Sequence, residues 1–341
     1  MKAVVYSGPR VFSVEDVAAT EPGPQDVRIS VHQTGLCGTD KHIHEGDFNA
    51  AFPLVPGHEI VGTVESTGAE VTGLEPGQWV TVNPNMSCGR CDQCRRGRNL
   101  LCRNLRGIGS NSPGGFAEQI TVPADVVFEV DGLEPDVAVF AEPAACALHG
   151  LETLSPRPGS TALVLGSGAT GLLLSQLLAT GGVAHVTVAS PSRKQLDRAE
   201  ALGIDSTVLI ERDLPDESVR RLYEHSEGGY DNVIEATGSA KVGARCVGLT
   251  RDGGTVMVYG VTHPDDTFPV HPYDIFRREI TIKGSFAEIA SFPAAIAALR
   301  SGRVRTDGLI THRYGLGEYG RALDDFSNDK SLHKAVVSPV G

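Results

Sequence analysis

Six residues constrain this chain more than any others: Gly166-Ser167-Gly168-Ala169-Thr170-Gly171. They read G-x-G-x-x-G. They follow the apolar run T-A-L-V-L at 161–165 and open the apolar stretch Leu172–Ala179. A further run, H-V-T-V-A, comes about twenty residues later. Strand, glycine turn and helix in that order are the context in which this motif cradles a dinucleotide. Gly166 permits the tight turn, Gly168 lets a pyrophosphate approach the backbone, and Gly171 lets the helix pack on the strand. The helix N-terminus then offers free N–H groups to the phosphates.

The loop sits in a longer alternation. Apolar β runs at 161–165, 185–189, 232–236, 255–259 and 280–283 alternate with helical candidates at Gly171–Thr180, Arg193–Leu202 and Glu217–His225. Such an alternation predicts βαβ units and a doubly wound parallel sheet of the Rossmann type. Residues 1–150 read differently. Val27–Gln33 alternates apolar and polar residues, and Val61–Val64 and Trp79–Val82 are short β-branched runs. Turn signals separate them at Glu21–Pro24, Val55–Gly57 and Glu75–Gly77. That pattern predicts an irregular, β-rich, barrel-like domain. Two helical candidates, Ser291–Arg300 and Glu318–Phe326, and a last apolar run at Lys334–Val337 follow Phe286.

At 341 residues the chain is long enough for two domains. Its net charge of −12 speaks against a nucleic-acid footprint. No run of 18 apolar residues appears, since Ser175 and Gln176 interrupt the most apolar stretch. The N-terminus has no apolar h-region, so a cytoplasmic protein is expected.

The end of the second β run bears on which dinucleotide is bound. An NAD site places an acid there to accept from the ribose hydroxyls. Here the run leads into Ser190-Pro191-Ser192-Arg193-Lys194. A neutral hydroxyl residue followed by two cations favours the 2′-phosphate of NADP(H) over NAD(H). The alternative is that Arg193 and Lys194 merely begin a solvated helix. Thr237, just after N-V-I-E-A, is a further candidate contact of the cofactor.

The seven cysteines are unevenly placed. Cys88, Cys91, Cys94 and Cys102 crowd into fifteen residues. An odd total without a signal peptide speaks against a disulfide framework and for metal. Four thiolates at these spacings can wrap one tetrahedral Zn²⁺, which would be structural because no coordination position stays open. An Fe–S cluster is the competing metal reading. A second constellation comes from separate loops: Cys37-Gly38-Thr39-Asp40-Lys41-His42, Gly57-His58-Glu59 and Ala141-Glu142-Pro143. Together they supply the thiolate, imidazole and carboxylates that an open, catalytic Zn²⁺ site needs. Asp40 is then a candidate acceptor for the ring N–H of His58.

With these motifs the chain resembles the zinc-dependent medium-chain dehydrogenases, the superfamily of the zinc alcohol dehydrogenases. The resemblance rests on C-G-T-D-x-H at 37–42, G-H-E at 57–59, the cysteines of 88–102, G-G-F-A-E at 114–118 and G-S-G-A-T-G at 166–171. It spans nearly the whole chain. Glu142 stands where the ethanol-type enzymes have a second cysteine ligand, which is more similar to the polyol and threonine dehydrogenases. The segment C-G-T-D-K-H-I-H-E-G-D-F also looks like the D-arabinitol dehydrogenases.

The resemblance implies a Rossmann domain, about 151–287, inserted in a GroES-like catalytic domain of 1–150 plus 288–341, with the active site in the cleft between them. It implies two Zn²⁺ per chain. Cys37, His58 and Glu59 are the implied ligands of the catalytic ion, and Glu142 either the fourth ligand or the residue holding its water. Which carboxylate binds directly differs within the family and stays open. The metal lowers the pKa of an alcohol, whose carbon then gives hydride to C4 of the nicotinamide. Thr39 and His42 are implied as the proton relay, although His44 could serve in place of His42. A homo-oligomer, dimer or tetramer, is implied as well. Ser190 departs from the acid of the NAD-dependent polyol enzymes.

Three functions fit. The first is a dehydrogenase for secondary alcohols of polyols or sugars. The second is a threonine- or butanediol-type dehydrogenase with the same zinc chemistry. The third is a metal-stabilised nucleotide-binding protein without turnover. Cys37, His58, Glu59 and Glu142 speak against the third, since a pure binding module has no use for an open metal position. Phe48, Phe116 and Phe286 stand near the motifs as candidates to line a substrate pocket, with the core as the plainer place for each.

Overall fold

Each apolar run between residues 161 and 284 becomes a parallel strand, buried except for the largely exposed Thr281–Gly284. In the computed structural model, which describes residues 1–48 and 50–339, the chain divides into two units. One holds Cys146–Ala287 with Ser301–Asp307, and the other Met1–Ala145, Glu288–Arg300 and Gly308–Gly341.

The first of these is built on a six-stranded parallel sheet. Its order is Ser206–Leu209, His185–Ser190, Thr161–Leu165, Tyr230–Glu235, Thr250–Val258 and Thr281–Gly284. Numbered along the chain this is 3-2-1-4-5-6, the order in which the chain reverses direction beside the first strand and leaves a crevice at the strand ends. Leu163, Leu165, Val233 and Val256 pack with Leu222, Val242 and Cys246 from the helices into one apolar core. The helix Ala169–Thr180 follows the glycine loop, with residues 171–178 buried. It is apolar on all sides, as a helix buried in a sheet face must be. Two of the elements that the sequence reading missed lie in this unit's sheet and against it. The strand Ser206–Leu209 is short and lies at an edge. The helix Ala240–Leu249 contains Gly243 and Gly248, which weaken its helical signal.

The other unit is a largely antiparallel sheet. Its path runs Ile310–Gly315, Lys334–Ser338, Asp26–Leu36, Glu59–Thr67, Trp79–Val82 and Val127–Glu129, with Gln119–Pro123 also pairing on Asp26–Leu36. Val27, Ile29, Val31, Ile60, Val64 and Val80 fill one core. Tyr6, Leu36, Ile43, Phe116 and Tyr319 fill a second, against the helix Gly38–Glu45. Phe116 lies in this core and Phe48 packs against it. Phe286 is 52% exposed, so it does not take the core place expected of it. Among the described residues no helix is long and apolar enough to cross a membrane.

Candidate active site and dinucleotide loop

Cys37 ends a strand and caps a helix, and that junction aims the C-G-T-D segment. The backbone N–H of Cys37 donates to Asp40 Oδ2 at 2.9 Å, which closes the first turn of Gly38–Glu45. His58 and Glu59 arrive from the neighbouring strand, where Glu59 pairs with Gly35. A Cβ at Gly35 would stand 1.9 Å from Glu59 Oε2, so only glycine lets this carboxylate lie over the strand. The ligand atoms of Cys37, His58 and Glu59 thereby fall within 4.8 Å of one another.

The polar accounting of this cluster fits a cation. His58 Nδ1 and Asp40 Oδ1 are buried without a hydrogen bond of normal geometry, and buried Glu59 Oε2 meets the Lys334 ammonium. Asp40 faces His58 Nδ1 at 3.8 Å, too far for a hydrogen bond and near enough to orient the ring. Burial pushes Asp40 up to about 6, with His58 opposing. Burial also resists a charge on His58, but Asp40 and Cys37 outweigh it and hold the imidazole well above its usual range. A concentration of buried anionic donors around a half-satisfied imidazole is what a bound Zn²⁺ would neutralise.

Glu142 lies in the first turn of Ala141–Leu154 and is buried. Its charge acts on His58, Lys334 and Glu288 without its joining the 4.8 Å set. Thr39 Oγ1 lies 3.9 Å from Cys37 Sγ. His42, one turn further along the helix, pairs through Nδ1 with Asp47 at 2.9 Å. His44 instead bonds Tyr6 Oη at 2.9 Å and stands edge-on to Tyr6 and Phe12, as part of the packing. Two residues of this neighbourhood were not singled out from the sequence. Lys334 reads as the head of an apolar strand, yet its buried ammonium contacts Glu59. Glu288, 0% exposed, has neither carboxyl oxygen in a normal hydrogen bond, although Asn85 and the Ser291 backbone act weakly on it. A charged residue in an otherwise apolar run was the available signal for both.

The four thiols of Cys88, Cys91, Cys94 and Cys102 also lie within 4.8 Å of one another. Sγ of Cys91 is 3.5 Å from that of Cys94 and 3.9 Å from that of Cys102. Zinc–sulfur bonds of about 2.3 Å in a tetrahedron require sulfur–sulfur edges of about 3.8 Å. Backbone N–H groups of Cys88 and Asn104 both donate to Cys102 Sγ at 3.3 Å. Those of Arg90 and Cys91 pull the Cys88 thiol down to about 6, so it is readily a thiolate. Burial holds Cys94 at about 11, the opposite direction, which a cation would reverse.

In the dinucleotide loop Gly166 has φ 119°, and a Cβ there would stand 2.8 Å from Ala236 O. Nothing lies within 4 Å of a Cβ built at Gly168, which leaves the helix N-terminus open to a phosphate. Gly171 would meet Gly166 O at 2.6 Å, the close helix–strand approach that the motif requires. Ser167 Oγ donates to Ser190 Oγ at 2.6 Å, tying the loop to the end of the second strand. Arg193 donates to Asp197 at 2.6 Å and Glu200 at 2.5 Å on its own helix, and Lys194 is exposed. Thr237 is held by Glu235, whose carboxylate accepts from the N–H of Thr237 at 2.7 Å and of Gly238 at 3.2 Å.

Comparison with known proteins gives the family. Residues 23–132 match the alcohol dehydrogenase GroES-like domain, and residues 169–301 match the zinc-binding dehydrogenase domain. The chain is 39% identical to D-arabinitol dehydrogenase 1 of Uromyces fabae, over 98% of this chain and 97% of that one. It is 36% identical to D-altritol 5-dehydrogenase of Agrobacterium fabrum, over 92% of each. A zinc-binding dehydrogenase from Sinorhizobium meliloti, solved bound to NADP, superposes with a TM-score of 0.92 over 99% of both chains at 35% identity.

Proposed function

Because the chain belongs to the zinc-dependent medium-chain alcohol dehydrogenases of the polyol type, we propose that this oxidoreductase oxidises a secondary hydroxyl of a pentitol or hexitol, D-arabinitol first among them, to the ketose. NADP⁺ takes the hydride and one proton leaves, so the products are ketose, NADPH and H⁺. The observation that carries the reading is the set Cys37, His58 and Glu59, closed to within 4.8 Å around buried, half-satisfied donors. The names of its polyol-oxidising relatives support the substrate class.

Zn²⁺ held by Cys37, His58 and Glu59 would supply the Lewis acidity that acidifies the substrate hydroxyl, and the nicotinamide the hydride acceptor. The chain's own residues do the rest. Asp40 orients the His58 ring from behind. Thr39 offers a hydroxyl beside Cys37 through which the substrate proton leaves. His42 takes that proton one turn along the same helix, with Asp47 placed to stabilise the imidazolium. His44, engaged with Tyr6, stays outside the relay. The four thiols of Cys88, Cys91, Cys94 and Cys102 would hold a second, structural Zn²⁺.

Preference for NADP(H) is supported by the neutral Ser190 at the ribose position and by the NADP-bound structural neighbour. Arg193 must leave Asp197 and Glu200 to reach a 2′-phosphate. A homo-oligomer is supported by the edge strand Thr281–Gly284, whose outer side pairs with no strand among the described residues and whose Ile282 is exposed. Turnover on pentitols, hexitols and simple secondary alcohols, each with both cofactors, tests the reading. Polyols with NADP⁺ should give the highest kcat/KM. Preference for L-threonine or a butanediol would refute the polyol assignment.

A further inference from the structure

Lys334 is a buried ammonium that sheet order carries to the cluster of Cys37, His58 and Glu59. Its neighbour Ala335 pairs with Leu36, and on the other side of that strand Gly35 pairs with Glu59. The lysine stem therefore reaches across one strand to a carboxylate on the next. Nζ donates to Glu59 Oε1 at 2.6 Å and to Leu36 O at 3.1 Å, and it also lies against Oε2. Oε2 itself accepts no hydrogen bond of normal geometry and is buried. Both oxygens of one carboxylate thus face a fixed cation, and the same carboxylate lies within reach of Cys37 and His58.

A group that only orients a metal ligand usually accepts a hydrogen bond from it or polarises it toward the ion, and losing such a group weakens metal binding about 10- to 100-fold. An ammonium on the carboxylate acts in the opposite sense. It draws charge from the oxygens and repels a second cation across a short, dry distance. We propose that Lys334 is a positioning residue that weakens Glu59 as a zinc ligand, so that the carboxylate is shared between ammonium and metal instead of being given wholly to the metal. The inference rests on the reading of Cys37, His58 and Glu59 as the catalytic zinc site. It also gives the two carboxylates separate roles: Glu59 is the yielding ligand, and Glu142 stands by on another element.

The test is zinc affinity, not activity. Zinc is competed from the full-length, zinc-loaded protein by a chelator, and the site is identified as the one that disappears in Cys37→Ser. Lys334→Met should bind zinc at least about tenfold more tightly than wild type, reversing the sign of the usual outer-partner effect. Glu59→Gln should cost more affinity in the Lys334→Met background than alone. Lys334→Gln, which keeps a donor and loses the charge, should also tighten binding, and it serves if the methionine variant does not fold. Weaker or unchanged zinc binding in the folded variants would overturn the proposal and make Lys334 a scaffold. Absence of zinc from the Cys37 site in wild type would overturn both this inference and the proposed function.

Discussion

Glu288 should make the protein less stable as pH rises, and Glu288→Gln should remove that dependence. The carboxyl is 0% exposed and has no hydrogen bond of normal geometry. Burial, and then the charge of Glu142, pushes its pKa from 4.5 up to about 8. The sign follows from proton counts. Below pH 4.5 both folded and unfolded chains hold the proton, and the contribution is fully present. Between 4.5 and about 8 the folded state keeps a proton that the unfolded state has released, so stability falls with rising pH. The slope approaches about 1.4 kcal/mol per pH unit. By neutral pH the loss amounts to about 3 kcal/mol, a large part of a typical domain stability of about 5–15 kcal/mol. Glutamine has the same shape and no titration, so it escapes the loss. Urea unfolding of wild type and variant, both zinc-loaded, at several pH values from about 5 to 8 gives the comparison. The gap between them should open steadily with pH in favour of Glu288→Gln. A gap that stays constant across the range would mean that Glu288 is already ionised in the fold, and would refute the reasoning.

Two other outcomes follow from the metal and cofactor sites. Cys94→Ser should release about one zinc per chain and destabilise the fold while zinc stays at the Cys37 site. Metal analysis finding iron, or a single zinc in wild type, would contradict the closed four-thiolate site. Ser190→Asp combined with Arg193→Ala should move kcat/KM toward NAD(H) by about tenfold or more, since a new carboxylate repels the 2′-phosphate. Equal use of both cofactors by wild type would mean that Arg193 keeps its partners Asp197 and Glu200 when cofactor binds.

What could be read in the sequence was what lies close along the chain. The glycine loop with its flanking strand and helix, and the four-cysteine spacing, each fit within twenty residues, and local geometry sets their meaning. The alternation after residue 160 identified the parallel sheet, although the short edge strand Ser206–Leu209 carries too few residues to stand out. The helix Ala141–Leu154 was hidden by Pro143, which reads as a break but lies in the first turn, where proline is tolerated. Side-chain partners set by sheet order were not legible. Lys334 and Glu59 are 275 residues apart, and only the pairing of three strands brings them together. Glu288 and Glu142 also come from distant parts of one unit. The reach of Arg193 was also beyond the sequence, because Asp197 and Glu200 compete for its guanidinium along the same helix.

The most direct test of the central reading is formation of reduced nicotinamide from D-arabinitol and NADP⁺ by wild type and Cys37→Ser, with dinucleotide binding measured on the same samples. Wild type stripped of zinc should lose turnover and regain it when zinc is restored. Cys37→Ser should bind the dinucleotide and stay inactive, since residues 166–171 contain no ligand of the Cys37 site. Turnover by Cys37→Ser at more than a few per cent of the wild-type rate, with its zinc at that site gone, would contradict zinc-dependent oxidation of a polyol by this protein.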